Sequence, residues 1–278
     1  MYKLVASDMD ETFLDGEHRI PEANIRALRR MRELGVLFVP SSGRPYDSIM
    51  DNFRDVDQDL LKGTYVLSYN GGFINRYGDP DPILSTTIDR DIIEALYRHG
   101  VEHRIPMHIY TPSGKIFTQF LMPEEREYVK EIVGVVELDD EQDTLDFAGD
   151  EPFVKILYVA LGLDAVKELG EEVRPLLDAD RVQITYSSDR YVEFVPAGID
   201  KGTGLAHLAE MLSIDMSETI GVGDSANDLA MIEAAGLGVG VANVSDDARS
   251  YCDLVLDTPA SEGAFLELVE RVLEAQQG

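Results

Sequence analysis

The chain has 278 residues, 44% of them hydrophobic and 28% charged, with 53 acidic against 24 basic side chains and a formal net charge of −29. That length suits one large or two ordinary globular domains, and the acidity argues against nucleic acid or an anionic membrane as partner, since both bind through a basic footprint. No apolar run approaches the ~20 residues of a membrane span, no basic leader precedes the first strand, and the lone Cys252 excludes an internal disulfide and fits a reducing cytoplasm.

The first apolar run, Lys3 to Ser7, reads as a strand and ends in Asp8-Met-Asp10-Glu11-Thr12. A helix follows, with Pro21 in its first turn, Ile25, Leu28, Met31 and Leu34 at near-helical spacing, and Gly35 as its stop. Val36 to Val39 forms a second buried strand that runs into Pro40-Ser41-Ser42-Gly43-Arg44-Pro45, and Tyr65 to Tyr69 a third, ending in Asn70-Gly71-Gly72. Strands alternating with helices predict right-handed crossovers and a parallel sheet.

Gly78-Asp79-Pro80-Asp81-Pro82 is a turn-rich break. Beyond it the strands look antiparallel and half-exposed, at 107–110, 115–119, 154–161, 182–186 and 191–195, with helices at 90–99, 124–132 and 165–177. This pattern predicts an inserted α+β domain over 83–190, with 1–82 and 191–278 forming one doubly wound α/β core. The alternation resumes with a helix over 203–212, a strand at 219–222 and Gly223-Asp224-Ser225-Ala226-Asn227-Asp228. A helix at 227–235, strands at 238–241 and 254–256, a short helix near 246–251 and a last helix over 262–275 complete the chain.

Asp-x-Asp occurs six times in this acidic sequence, so the pair Asp8/Asp10 carries little weight alone. Its place behind a strand gives it weight, because ligands in doubly wound sheets bind outside the carboxyl ends of the strands. Ser42-Gly43-Arg44, Lys201 and the Gly223–Asp228 segment fall at strand ends or adjoining helix starts too. The set offers a nucleophile, a hydroxyl beside a glycine, a cation and further carboxylates. That inventory suits phosphoryl transfer with a hard divalent cation. In so acidic a chain, an anionic substrate needs such a local cationic pocket, which screening over roughly 8 Å makes feasible.

In this order, and with an insertion between the second and third, the four signatures resemble those of the haloacid dehalogenase superfamily of phosphatases, and the insertion resembles the C2B-type cap of its Cof-type branch (subclass IIB). The resemblance implies Mg²⁺ as cofactor, Asp8 as the nucleophile that forms an aspartyl-phosphate, and Asp10 as general acid and then base. It makes Ser42 and Lys201 the holders of the phosphoryl group, with Gly43 beside them. Asp8, the backbone carbonyl of Asp10, Asp224 and Asp228 would hold the metal, and Asn227 would orient the site. Thr12, Asn70 and Arg44 are further candidates around the phosphate. The chain departs from the family pattern at Glu11, where many members have Gly, and at Ser42, where many have Thr.

The implied enzyme is a cytoplasmic Mg²⁺-dependent phosphatase acting on a small phosphate ester. Sugar phosphates are the first guess, with flavin mononucleotide or pyridoxal phosphate as competitors, and the cap is expected to close over the substrate and choose it. A phosphomutase and a non-catalytic phosphometabolite-binding protein are the alternatives. His18, His99, His103, His108 and His207 are read as lacking metal-ligand spacing, which argues against zinc. His108, Tyr110, Tyr186 and Arg190 are polar or aromatic groups of the insert with no role assigned.

Overall fold

A computed structural model describes residues 1–277 other than Glu131 and Ser188. The chain divides into two compact units, Met1–Ser85 with Ile199–Gly278, and Thr86–Gly198.

The first unit opens with β1 (Leu4–Ser7), α1 (Glu22–Glu33), β2 (Leu37–Pro40), α2 (Tyr46–Asp51), β3 (Tyr65–Ser68), β4 (Phe73–Arg76) and β5 (Pro82–Ser85). The second unit contributes α3 (Arg90–Glu102), β6 (Met107–Tyr110), β7 (Ile116–Gln119), α4 (Pro123–Val129), β8 (Val135–Glu137), β9 (Lys155–Val159), α5 (Leu163–Val173), β10 (Val182–Ser187) and β11 (Tyr191–Pro196). The chain then returns to the first unit with α6 (Lys201–Leu212), β12 (Thr219–Gly223), α7 (Leu229–Ala234), β13 (Leu237–Gly240), α8 (Asp246–Arg249), β14 (Leu254–Val255) and α9 (Phe265–Leu268).

The core sheet is wholly parallel, in the order β14-β13-β12-β1-β2. Because side chains alternate along a strand, β1 feeds two cores. Val5 points into one with Phe13, Leu28, Met31, Phe38, Ile220 and Phe265, while Leu4 and Ala6 point into another with Val39, Leu205, Leu208 and Met231. Burial on both faces requires a near-continuous apolar strand, which is why Leu4-Val5-Ala6 could be read from sequence. The buried Asn24 of α1 donates to the Phe13 carbonyl at 2.7 Å and accepts from the Phe265 N–H at 3.0 Å. It thereby ties the loop after β1 to two helices.

The expected third parallel strand is joined to this sheet only by a parallel bridge between Ser41 and Leu67, and otherwise pairs antiparallel with β4, which pairs with β5. The 78–82 segment is therefore a hairpin turn inside the first unit rather than its end. The Asn75 side-chain amide holds that turn by donating to the carbonyls of Asp79 and Pro80.

In the second unit six strands lie in the order β10-β11-β9-β6-β7-β8, antiparallel apart from the β7–β8 pair. Here β11 pairs along its length with β10 and, over Tyr191–Phe194, with β9. The return to the core, placed at 191 from the sequence, thus falls after Gly198. β8 went unforeseen because it is short and mostly exposed. His108 is buried against Glu125, which also accepts from the hydroxyl of Tyr191 and from Arg190. Burial, and then the nearby Lys155, push its pKa down to about 4. No helix among the described residues is long and apolar enough to cross a membrane.

Candidate active site

Four chain segments converge at the carboxyl ends of β1, β2 and β12. The Asp8 N–H donates to the Val222 carbonyl at 2.9 Å and the Ser41 N–H to the Ser7 carbonyl at 2.7 Å, which continues the sheet pairing into the loops. Asp200 caps α6, its carboxylate accepting from the Thr203 N–H at 2.7 Å, so Lys201 starts the helix in a fixed orientation. Gly202 lets α6 approach α7, since a Cβ there would lie 2.2 Å from the Ala230 carbonyl oxygen. Gly223 does the same for the loop after β12, where a Cβ would lie 2.3 Å from that of Asp228.

The result is a buried ion cluster. The Lys201 ammonium is 0% exposed and donates to Asp8 and, at 2.6 Å, to Asp228. The other Asp228 oxygen accepts the N–H groups of Asp224 and Ser225 at 3.0 and 3.1 Å. Asp224 is fixed by the Thr12 hydroxyl, which donates to it at 2.6 Å. One carboxylate oxygen from each of Asp8, Asp224 and Asp228 lies within 4.8 Å of the others. Three carboxylates and one ammonium leave two negative charges uncompensated. Burial raises the pKa of Asp8 to about 7 against the pull of Lys201, with Asp228 and Asp224 adding to the rise. Burial also raises Asp224, to about 6. Despite its own desolvation, Lys201 is held firmly charged by Asp8 and Asp228. An all-oxygen donor set with two unmet charges fits a hard divalent cation such as Mg²⁺.

Asp10 lies outside this cluster. It is half-exposed, with one oxygen 2.9 Å from Nδ1 of His18 and the other 3.3 Å from Nε of Arg44. Arg44 also donates to Asn52 at 2.9 Å, and Asn52 donates to the His18 carbonyl at 2.9 Å, closing a ring of four residues that no motif in the chain foretells. Ser42 is buried; its hydroxyl accepts the Arg44 N–H at 3.2 Å and its carbonyl the Asn70 N–H at 2.9 Å. Asn70 packs its amide on Gly43, and its buried Oδ1 has no hydrogen-bond partner among the described residues.

Two expected roles shift. The Thr12 hydroxyl is spent on Asp224 rather than offered to a phosphate. Asn227 is exposed and accepts from the Ser225 hydroxyl at 2.6 Å, so in this structure it braces its own turn. Cys252 is half-buried, and burial pushes its thiol pKa up, in line with a packing role. His99 and His103, read from the sequence as lacking metal-ligand spacing, stand one turn apart, in the last turn of α3 and just after it, with ring centroids 4.4 Å apart. The predicted helix stopped at His99, which hid the pair.

Glu11 sits in the left-handed region at φ 57°, ψ 13°. Such a conformation costs a side-chain-bearing residue roughly 1–2 kcal/mol, part of which glycine would return as lost backbone freedom. Glu11→Gly is expected to raise stability by about 0.5–1 kcal/mol, measured as a higher urea midpoint. An unchanged or lower midpoint would show that the turn is held without strain.

The family model for haloacid dehalogenase-like hydrolases matches residues 5–268. The chain belongs to that family. Among its relatives, the Bacillus subtilis phosphatase YwpJ is 30% identical, over 94% of this chain and 96% of its own. A phosphoglycolate phosphatase of Methanospirillum hungatei is likewise 30% identical, over 97% and 96%. A haloacid dehalogenase-like hydrolase of Bacteroides thetaiotaomicron superposes with a TM-score of 0.81 at 26% identity, covering 98% of this chain and 100% of its own. This haloacid dehalogenase-like hydrolase is of the Cof type, and its enzyme class is the phosphoric monoester hydrolase class of these relatives.

Proposed function

We propose that this hydrolase is a Mg²⁺-dependent phosphatase that cleaves a small phosphorylated metabolite through an aspartyl-phosphate on Asp8. The observation that carries the reading is the buried Lys201 ammonium shared between Asp8 and Asp228, with Asp224 alongside. Asp8, Asp224 and Asp228 would hold the ion together with the Asp10 carbonyl, and when bound it offsets the negative charge of carboxylates and phosphoryl oxygens.

An Asp8 oxygen attacks phosphorus while the departing ester oxygen takes the proton of the Asp10 carboxyl. In the second step Asp10 accepts a proton from water as that water attacks the phosphoryl group, and Asp8 is released. Asp10 suits proton exchange because it is the half-exposed carboxylate of the set. Lysine has three N–H donors; two go to Asp8 and Asp228, which leaves one for a phosphoryl oxygen beside the Ser42 hydroxyl.

Sugar phosphates are the favoured substrates, with flavin mononucleotide and pyridoxal phosphate behind them. The relatives' names, including a phosphoglycolate phosphatase, support small phosphate esters. A phosphomutase needs cations for a second phosphate, yet in the second unit Lys155 is paired with Glu193, Arg190 with Glu125, and Arg181 with Asp89 and Asp91. A panel of sugar, nucleotide and cofactor phosphates, assayed for free phosphate and for isomer, tests the reading. Phosphate release that disappears on chelation is expected; isomer without phosphate favours the mutase, and activity indifferent to chelation removes the Mg²⁺ role.

Metal binding is also expected to show in stability. Asp8 and Asp224 have pKa values raised above the ordinary carboxylate range, so the metal-free fold binds protons that the unfolded chain has released. It therefore loses stability as pH rises from about 4 to about 7. Saturating Mg²⁺ is expected to raise Tm more at pH 8 than at pH 5. Equal Tm shifts at both pH values would count against the carboxylate cluster as its site.

A further inference from the structure

The second unit holds a group of potential ligands far in sequence from the carboxylate cluster. His99 and His103 lie one turn apart at the C-terminal end of α3, and Glu172 lies in the last turn of α5. One ligand atom from each falls within 4.8 Å of the other two. Histidines at i and i+4 on one helix face present their rings to a common point, and here the centroids are 4.4 Å apart.

One tautomer of His99 suits its neighbour. The Tyr158 hydroxyl donates its single proton to the Leu96 carbonyl. Its oxygen also lies 3.5 Å from His99 Nδ1, a contact that a hydrogen on Nδ1 fits. Nε2 is then left as a lone pair, and it faces the Glu172 carboxylate at 3.9 Å. Two acceptors thus face each other with no proton between them. Burial, and then the charge of His103, lower the pKa of His99. A hydrogen-bonded second nitrogen, as here with Tyr158, is the usual support of a ligating histidine. The carbonyl end of α3 adds a favourable field for a cation.

We propose that His99, His103 and Glu172 form a binding site for a divalent transition-metal ion such as Zn²⁺, which cross-links the end of α3 to the end of α5. Two imidazoles and one carboxylate suit zinc rather than Mg²⁺, which prefers oxygen ligands. Its three residues belong to the second unit, and those of the proposed chemistry all belong to the first.

Zn²⁺ titration calorimetry of the full chain in excess Mg²⁺ tests it, with His103→Ala, Glu172→Gln and the parent compared side by side. Both altered side chains are exposed, so the fold is expected to persist, checked by circular dichroism. A Zn²⁺ isotherm is expected in the parent that weakens at least tenfold in His103→Ala and severalfold in Glu172→Gln. Cobalt is expected to give tetrahedral visible bands in the parent that are lost in His103→Ala. Zinc bound at the Asp8 cluster would persist in all three proteins. Identical isotherms and Co²⁺ spectra in parent and variants would overturn the site.

Discussion

Asp8→Asn is expected to lower phosphate release from p-nitrophenyl phosphate by about 10⁴-fold or more, the scale seen when a catalytic nucleophile is removed, while the protein stays folded. The amide matches the carboxylate in shape, and its carbonyl oxygen can still accept from Lys201, which keeps Asp228 as an ionic partner. It carries no charge to share with phosphorus, so no acyl phosphate forms. Stability is expected to hold or rise in the metal-free protein above pH 7, since Asp8 then no longer ionises in a buried site beside Asp228 and Asp224. Steady-state turnover and thermal unfolding, measured on the same preparation, separate the two effects. Near-normal turnover in a folded variant would remove Asp8 as nucleophile.

The site was legible where its chemistry depends on strand ends, and less so where it depends on side-chain conformation. Asp8, Lys201, Asp224 and Asp228 follow apolar strands or open helices, and the sheet carries them together. Asp10, two residues after Asp8, lies off the cluster, because Glu11 turns the loop through the left-handed region and His18 and Arg44 take up the Asp10 carboxylate. Composition cannot foresee such a turn when the residue is not glycine. Asn227 shows the same limit: a single hydrogen bond from Ser225 decides where its amide goes. In the fold, the Gly-Asp-Pro-Asp-Pro segment reads as a boundary because its residues favour turns, and a hairpin turn has the same composition. Only the pairing of β4 with β5 and of β11 with β9 places the units' limits after Ser85 and Gly198.

Lys201→Met tests the other half of the cluster. Methionine keeps most of the buried stem but removes the ammonium, and Asp8 and Asp228 are then left as buried carboxylates without a cation. Breaking a buried pair in this way costs about 3–5 kcal/mol, so a large drop in the denaturation midpoint is expected along with loss of phosphatase activity. The pH dependence carries the sign. Asp8, whose pKa is already raised, can escape the penalty by taking up a proton, so Lys201→Met is expected to be closest to the parent near pH 5 and to fall further behind as pH rises towards 8. The parent shows no matching loss from its lysine over that range, because the raised Lys201 pKa keeps the ammonium charged well above it. Adding Asp228→Asn to Lys201→Met removes one of the stranded charges. The double variant should recover part of the lost stability, although Asp228→Asn alone is expected to destabilise. If the two changes simply add, the Lys201–Asp228 contact carries no coupling and the ammonium does not hold the cluster together. A positive coupling that strengthens between pH 5 and pH 8 would identify Lys201 as the cation that lets three acidic side chains share one buried site.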